Sequence, residues 1–156
     1  TTEGGMIAPL IMSGPGLRRS NEIHHGFLTL MDLAPTFYEI AGARYPDRFL
    51  GQQTYPLKGK SLVPFLKGST GRVHDDNYVF ALEHRNAAML RKGKWKITNT
   101  TRPLDKNNFK LYDLTNDLGE QNDLKEQEPD VYADLLAEWD AYAREIQVQI
   151  PSPGFE

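Results

Sequence analysis

From Asn77 onward the chain carries four short strand candidates joined by turns, and then one long amphipathic helix. Tyr78-Val79-Phe80-Ala81-Leu82-Glu83 predicts a strand over 78–83, and Ala87-Ala88-Met89-Leu90-Arg91 a strand over 87–92. Trp95-Lys96-Ile97-Thr98 predicts one over 94–99, and Phe109-Lys110-Leu111-Tyr112-Asp113-Leu114 one over 109–114. Short turns between such segments impose antiparallel pairing, and Gly93 between Lys92 and Lys94 supplies the φ > 0 that a tight hairpin needs. Pro129 suits a first helical position and opens a helix predicted over 129–147. Val131, Tyr132, Leu135, Leu136, Trp139, Tyr142, Ala143 and Ile146 form one stripe at helical spacing, which should cover one side of the sheet. The fold class that follows is α+β, an antiparallel sheet of about four strands packed by a C-terminal helix.

The first 68 residues follow a different pattern. Met6-Ile7-Ala8-Pro9-Leu10-Ile11-Met12 is a nearly continuous apolar run closed by Ser13-Gly14-Pro15-Gly16. Runs of this kind suit a strand buried on both faces, here predicted over 7–12. Such a strand needs neighbours, and no second strand of that type occurs, so its partners are expected upstream. A helix is predicted over 32–42, with Asp32 as N-cap, Pro35 in the first turn and Gly42 at C′. Leu33, Phe37, Ile40 and Ala41 mark its apolar stripe. Residues 43–59 read as an extended loop, and a short helix capped by Ser61 is predicted over 61–66. These residues are expected to close a larger α/β domain (1–68), and 69–156 to form the smaller sheet domain.

A formal net charge of −3 from 18 Lys and Arg against 21 Asp and Glu is too mild to imply nucleic acid. No window approaches 18 uninterrupted apolar residues, so no membrane-spanning helix is expected. The absence of cysteine removes disulfides, thiolate metal sites and a cysteine-derived nucleophile. Thr1-Thr2-Glu3-Gly4-Gly5 has no basic leader, and the chain reads as part of a longer one. Charge is unevenly spread. Residues 1–110 hold 16 basic against 9 acidic side chains, a balance of +7, and residues 111–150 hold 2 against 11, a balance of −9. Opposed halves suit an intramolecular contact, a basic face turned to an anionic ligand, or two solvated faces.

No complete active site is legible from residue types and spacing. His24 and His25, adjacent in an extended segment, point to opposite faces and do not share one metal, although either suits a single substrate contact. His84, Arg85 and Asn86 lie at a turn between predicted strands, where grouped donors suit anion or sugar recognition, or an ordinary polar hairpin. Arg91-Lys92-Gly93-Lys94-Trp95-Lys96 reads as a charged hairpin with edge lysines that discourage aggregation. Asp113-Leu114-Thr115-Asn116-Asp117-Leu118-Gly119-Glu120 misses the register of a calcium loop by one residue. No catalytic residue and no metal ligand is assigned within the chain.

Five stretches in register nevertheless carry a resemblance. Glu3-Gly4-Gly5 with Pro9 resembles an "EGG-x-x-x-P" stretch. Met31-Asp32-Leu33-Ala34-Pro35-Thr36 with Ile40-Ala41-Gly42-Ala43 resembles a "DL-x-PT…LAG" helix. Gly59-Lys60-Ser61-Leu62 with Pro64 and Leu66 resembles "GxSLxPxL", and Ala88-Met89-Leu90-Arg91-Lys92-Gly93-Lys94-Trp95-Lys96 resembles "R-A-[VIL]-R-x-G-x-W-K". Leu111-Tyr112-Asp113-Leu114, then Asp117, Gly119-Glu120, Asn122 and Leu124, resembles "LYDL-x-x-DPGE-x-x-(N/D)L". In this order the stretches resemble the C-terminal portion of a type I sulfatase of the bacterial arylsulfatase kind, in the alkaline-phosphatase superfamily.

The resemblance implies hydrolysis of sulfate esters by a parent protein using a formylglycine made from Cys or Ser and a calcium ion. None of those motifs occurs in this chain, so this segment is expected to be inactive alone, with no cofactor of its own. Its partner would be the N-terminal catalytic domain of the same protein. Its role would be to support that domain and shape the pocket rim through His84, Arg85, Asn86, His24 and His25. Ile7, Ala88 and Leu118 depart from the family's pattern and leave the ester open. Two alternatives stand beside this reading: part of a phosphonate or phosphate ester hydrolase of the same superfamily, and a stand-alone module binding sulfated or acidic glycans. Nothing in the sequence assigns a compartment.

Overall fold

The computed structural model describes residues 1–18 and 21–148. It divides into two compact units, one made of Thr1–Pro9 with the chain from Asp76 onward, the other of Leu10–Asp75. The expected boundary at 68/69 therefore shifts to 75/76, and the first nine residues group with the sheet rather than with the segment that follows them.

The first unit opens with a four-residue helix α1 (Glu3–Met6). Its sheet comprises β3 (Val79–His84), β4 (Ala87–Lys92), β5 (Trp95–Asn99) and β6 (Lys110–Asp113), and is closed by helix α4 (Pro129–Glu145). The lower-numbered strands belong to the second unit. The strands pair antiparallel in the order β3-β4-β5-β6, as the turns require. Both inner hairpins use two-residue loops. In the second, Gly93 sits at φ 58°, and a Cβ there would stand 3.1 Å from the carbonyl oxygen of Asp76, so glycine answers both a dihedral and a space constraint.

Alternation along the strands gives the sheet two unlike faces. Ala88, Leu90, Ile97 and Leu111 pack with Leu104 and Phe109 against Leu135 and Trp139 of α4, forming the core. The Phe109 and Trp139 ring centroids are 5.3 Å apart, and the Tyr132 hydroxyl donates to the Phe109 carbonyl at 3.1 Å. The opposite, rear face carries Phe80, Leu82, Met89, Arg91, Lys96, Thr98, Lys110 and Tyr112 by register. The predicted helical stripe packs as expected except at its end. The helix stops at Glu145 rather than 147, because Gln147 turns left-handed (φ 55°) and the Val148 N–H returns to the Ala143 carbonyl at 2.9 Å. Ile146 lies beyond that stop and is half-exposed.

The charge asymmetry resolves, within this unit, into ion pairs between its basic and acidic stretches. Lys92 reaches Asp134 at 2.8 Å and Glu138 at 3.0 Å on α4, Lys94 reaches Asp113 at 2.8 Å, and Lys106 pairs with Asp140. Hydrogen bonds donated to both carboxylates hold the Lys92 ammonium above its ordinary pKa, and the Lys94 ammonium holds the Asp113 carboxyl below its own.

In the second unit a single 3-10 turn (Leu30–Asp32) leads into α2 (Leu33–Ile40). A two-residue hairpin pairs β1 (Arg48–Phe49) with β2 (Gln52–Gln53), within the stretch expected to be a loop, and α3 spans Val63–Leu66. Two expectations are corrected here. Residues 7–12 form no strand: among the described residues no segment pairs with them, and an apolar run without a ladder partner stays extended and irregular. The apolar stripe of α2 is not its buried side either. Phe37 is 60% and Ile40 64% exposed, whereas Thr36 is buried. Gly42 does take the expected C′ position at φ 63°, with Ala43 donating to the Tyr38 carbonyl at 2.9 Å. Among the described residues no helix is long and apolar enough to cross a membrane.

Truncating Trp139 to Ala empties the centre of the helix-to-sheet contact. We expect a loss of about 3 to 5 kcal/mol in unfolding free energy, read by urea denaturation of the protein carrying this chain. A loss under about 1 kcal/mol would mean that this core does not govern the stability of the sheet.

Candidate functional sites

The β3–β4 hairpin places three of the expected site residues on one tip. His84 and Ala87 form its last pair, and the loop is Arg85–Asn86, both left-handed at φ 51° and 62°. That conformation matches the twist of the strands. Asn tolerates it, whereas Arg does so at a cost of about 1 kcal/mol. The Glu83 carboxylate accepts the Asn86 N–H at 2.9 Å and fixes the turn. His84 and Arg85 are exposed, so an imidazole and a guanidinium stand side by side in solvent. This arrangement can donate to an anion or to sugar hydroxyls, but it holds no nucleophile.

His24 and His25 belong to the second unit. The His24 ring lies against Phe65 with centroids 4.2 Å apart, and His25 is exposed. Among the described residues no three His, Asp or Glu side chains converge to hold a metal ion. The acidic loop after β6 spends its carboxylates on the backbone instead: Asp113 accepts from Thr115 N–H, and Asp117 from Gln121 and Asn122 N–H groups. Those bonds hold Asp117 below its ordinary pKa.

Two buried polar centres escaped the sequence reading. In the second unit Asp32, fully buried, accepts from Thr29 N–H at 2.7 Å and Lys60 N–H at 2.8 Å, and its Oδ2 lies 2.8 Å from His74 Nε2. Thr36 donates to the Asp32 carbonyl at 2.6 Å and accepts Leu62 N–H at 2.8 Å. Gly59 is required beside this centre, since a Cβ would stand 2.1 Å from the Met31 carbonyl oxygen. Asp32 therefore acts from within as the hub of the unit; it precedes α2 as expected, but its carboxylate makes no capping hydrogen bond to that helix. His74 gave no periodic or spacing signal.

In the first unit the ammonium of Lys96, with no solvent exposure, lies 2.7 Å from Glu3 Oε1 and 2.6 Å from Glu120 Oε1. The expectation of edge lysines fails here because β5 is an inner strand, flanked by β4 and β6. Strand alternation was the available signal: Trp95 and Ile97 face the helix, so Lys96 must face the rear. Glu120 reaches the ammonium from a left-handed backbone at φ 54°. Arg91 shares this face; burial lowers its pKa, and the charge of Glu3 opposes that shift. Beside the cluster runs an open groove of about 650 Å³ whose lining includes Thr2, Thr98, Thr100, Lys110 and Tyr112. Burial, then the charges of Asp123, Glu120 and Asp117, raise the Tyr112 phenol, which stays a donor.

The sheet unit, four antiparallel strands with one helix on its front face, has the architecture the resemblance implies, and comparisons with known proteins show the family. The family N-sulphoglucosamine sulphohydrolase, C-terminal, matches residues 2–148, and the chain belongs to it. An uncharacterized sulfatase of Schizosaccharomyces pombe is 32% identical over 149 residues, covering 94% of this chain and 26% of that protein. A sulfatase of Formosa agariphila is 28% identical over 137 residues, covering 81% of this chain and 24% of its own length. The chain thus spans about a quarter of these curated relatives. A crystal structure of a putative sulfatase from Bacteroides thetaiotaomicron superposes with a TM-score of 0.65 at 23% identity, over 91% of this chain and 32% of that one. A solved 2-O GAG sulfatase gives 0.64 at 24%, over 90% and 31%. At these identities the structures speak for the fold.

Replacing Asp32 with Ala orphans the Thr29 and Lys60 N–H groups in a buried site. We expect a loss of about 2 to 5 kcal/mol and faster amide exchange across residues 29–66, measured by hydrogen-exchange mass spectrometry. Unchanged exchange there would show that Asp32 is not the hub.

Proposed function

We propose that this chain is the C-terminal part of a sulfuric ester hydrolase of the arylsulfatase-like kind, and that it supports a preceding catalytic domain and shapes the rim of its substrate pocket. The observation that carries the reading is apolar surface held out from ordered structure. Ile11 is 91% exposed, Leu30 83%, and Phe37 and Ile40 project from a regular helix with nothing of their own unit over them. Large apolar side chains left exposed are available to a contact surface. A self-sufficient glycan-binding module would bury them, so the segment is read as completing its core against the rest of the same polypeptide. The nucleophile, and the calcium and formylglycine that the family resemblance implies, then belong to that other part.

On the same reading the exposed donors of His84 and Arg85, held on the rigid hairpin tip, meet the leaving-group end of a sulfate ester. His24 and His25 are second candidates for that rim. A phosphate or phosphonate ester would call on the same donors, and the residues around the upstream nucleophile separate the two chemistries.

Two experiments test the proposal. This chain alone, incubated with an aryl sulfate and calcium, should show no turnover above buffer; hydrolysis by it would overturn the division of labour. In the full-length protein, His84→Ala should change the ratio of kcat/KM between two sulfate esters by roughly tenfold while leaving calcium affinity unaltered. An unchanged ratio removes His84 from the rim.

A further inference from the structure

We infer that Lys96 is a positioning residue: through Glu3 it anchors the opening of the chain to the rear of the sheet, and so fixes where the polypeptide ahead of Thr1 leaves for the catalytic domain. The inference rests on the reading above, that such a domain precedes this segment.

The first argument is one of cost. Withdrawing an ammonium from water costs several kcal/mol, and a buried ion pair seldom returns more than an apolar side chain of similar size. Met89 and Leu82 show that this face of the sheet accepts apolar residues. An ammonium with no exposure at Lys96 is therefore a poor choice for stability alone. It is a good choice for specifying geometry, because only correctly placed carboxylates offset its desolvation.

The second argument is one of connectivity. Glu3, at the opening of the chain, and Glu120, in the loop after β6, reach the same ammonium, and Lys96 lies on an inner strand of the sheet. Lys96 and Arg91 on one side, and Glu3 and Glu120 on the other, balance the charge of the cluster. Around Glu3 few other contacts are available. Thr2 makes no side-chain cap to α1, Gly4 and Gly5 have no side chains, and the chain after Met6 has no regular structure. Thr98 Oγ1 adds weak contacts to the Thr1 carbonyl at 3.4 Å and hydroxyl at 3.3 Å. The short helix α1 is thus tied to the sheet by a salt bridge that crosses 93 residues of sequence, with the Arg91 charge acting on the same carboxylate.

The third argument concerns the direction of influence. Lys96 is inaccessible to any ligand, so an effect on turnover would have to pass through Glu3 into the chain that precedes it. Small displacements of that chain matter, since about 1 Å of misplacement at a reacting centre costs on the order of 100-fold in rate.

The experiment uses the full-length protein as wild type, Lys96→Met, and the charge-free triple Lys96→Met, Glu3→Gln, Glu120→Gln, which guards against misfolding of the single variant. Expected are a thermal midpoint of the triple close to wild type, lost amide protection over Thr1–Met6, and a fall in kcat for an aryl sulfate of about 10- to 100-fold with little change in KM. Wild-type kcat in a folded triple, or retained protection over Thr1–Met6, overturns the inference. A wild type that cleaves no sulfate ester, with protection still lost in the variants, overturns the proposed function and keeps the anchor.

Discussion

The sheet unit is organised around one buried cation. A lysine on an inner strand, sealed from water, makes every other arrangement of its neighbours unfavourable unless two carboxylates reach it, and here they come from Glu3 and Glu120. The consequence is positional. The start of the chain, the centre of the sheet and the loop after β6 are brought to a common point, and the rear face carries a charged centre while the front face packs Leu90, Ile97, Leu111 and Trp139 as a dry core. Loop 113–124 is shaped to the same end. Leu124 N–H bonds the Leu111 carbonyl, Asp123 accepts Leu111 N–H, and both close the outer edge of β6.

The second unit repeats the principle with an anion at its centre. Asp32 gathers backbone donors from Thr29 and Lys60 and the ring of His74, so segments that carry little apolar burial are tied by polar bonds. This explains why α2 presents its apolar stripe outward. Its inner side is already committed to Asp32 and Thr36, which leaves Phe37 and Ile40 for whatever lies outside the unit. In both units residues of the stretches that carry the family resemblance are engaged in structural contacts: Glu3, Asp32, Thr36, Gly59, Lys96 and Glu120.

The rim proposed above uses residues that stand apart from these polar centres. His84 and Arg85 at the hairpin tip are exposed and satisfied by no core bond, and the turn beneath them is fixed by Glu83 and a strained left-handed pair. A fixed turn under exposed donors suits the presentation of a rim. Membership of the sulfatase C-terminal family and a shared fold agree with a supporting part in a larger enzyme.

Local pattern by itself determined the four strands, their antiparallel order, the α4 stripe and the family, because period-2 alternation, turn glycines and short motifs are written in neighbouring residues. It also located the His84–Asn86 tip, since a hairpin loop is a local event. Tertiary structure alone decided that residues 7–12 do not form a strand, that the stripe of α2 faces outward, and that Lys96, which sequence reads as a solvated hairpin charge, is the most deeply buried cation of the sheet. The reason is the same in each case. Burial of a charge, or loss of a strand partner, depends on residues some 90 positions away, and no local period records that distance.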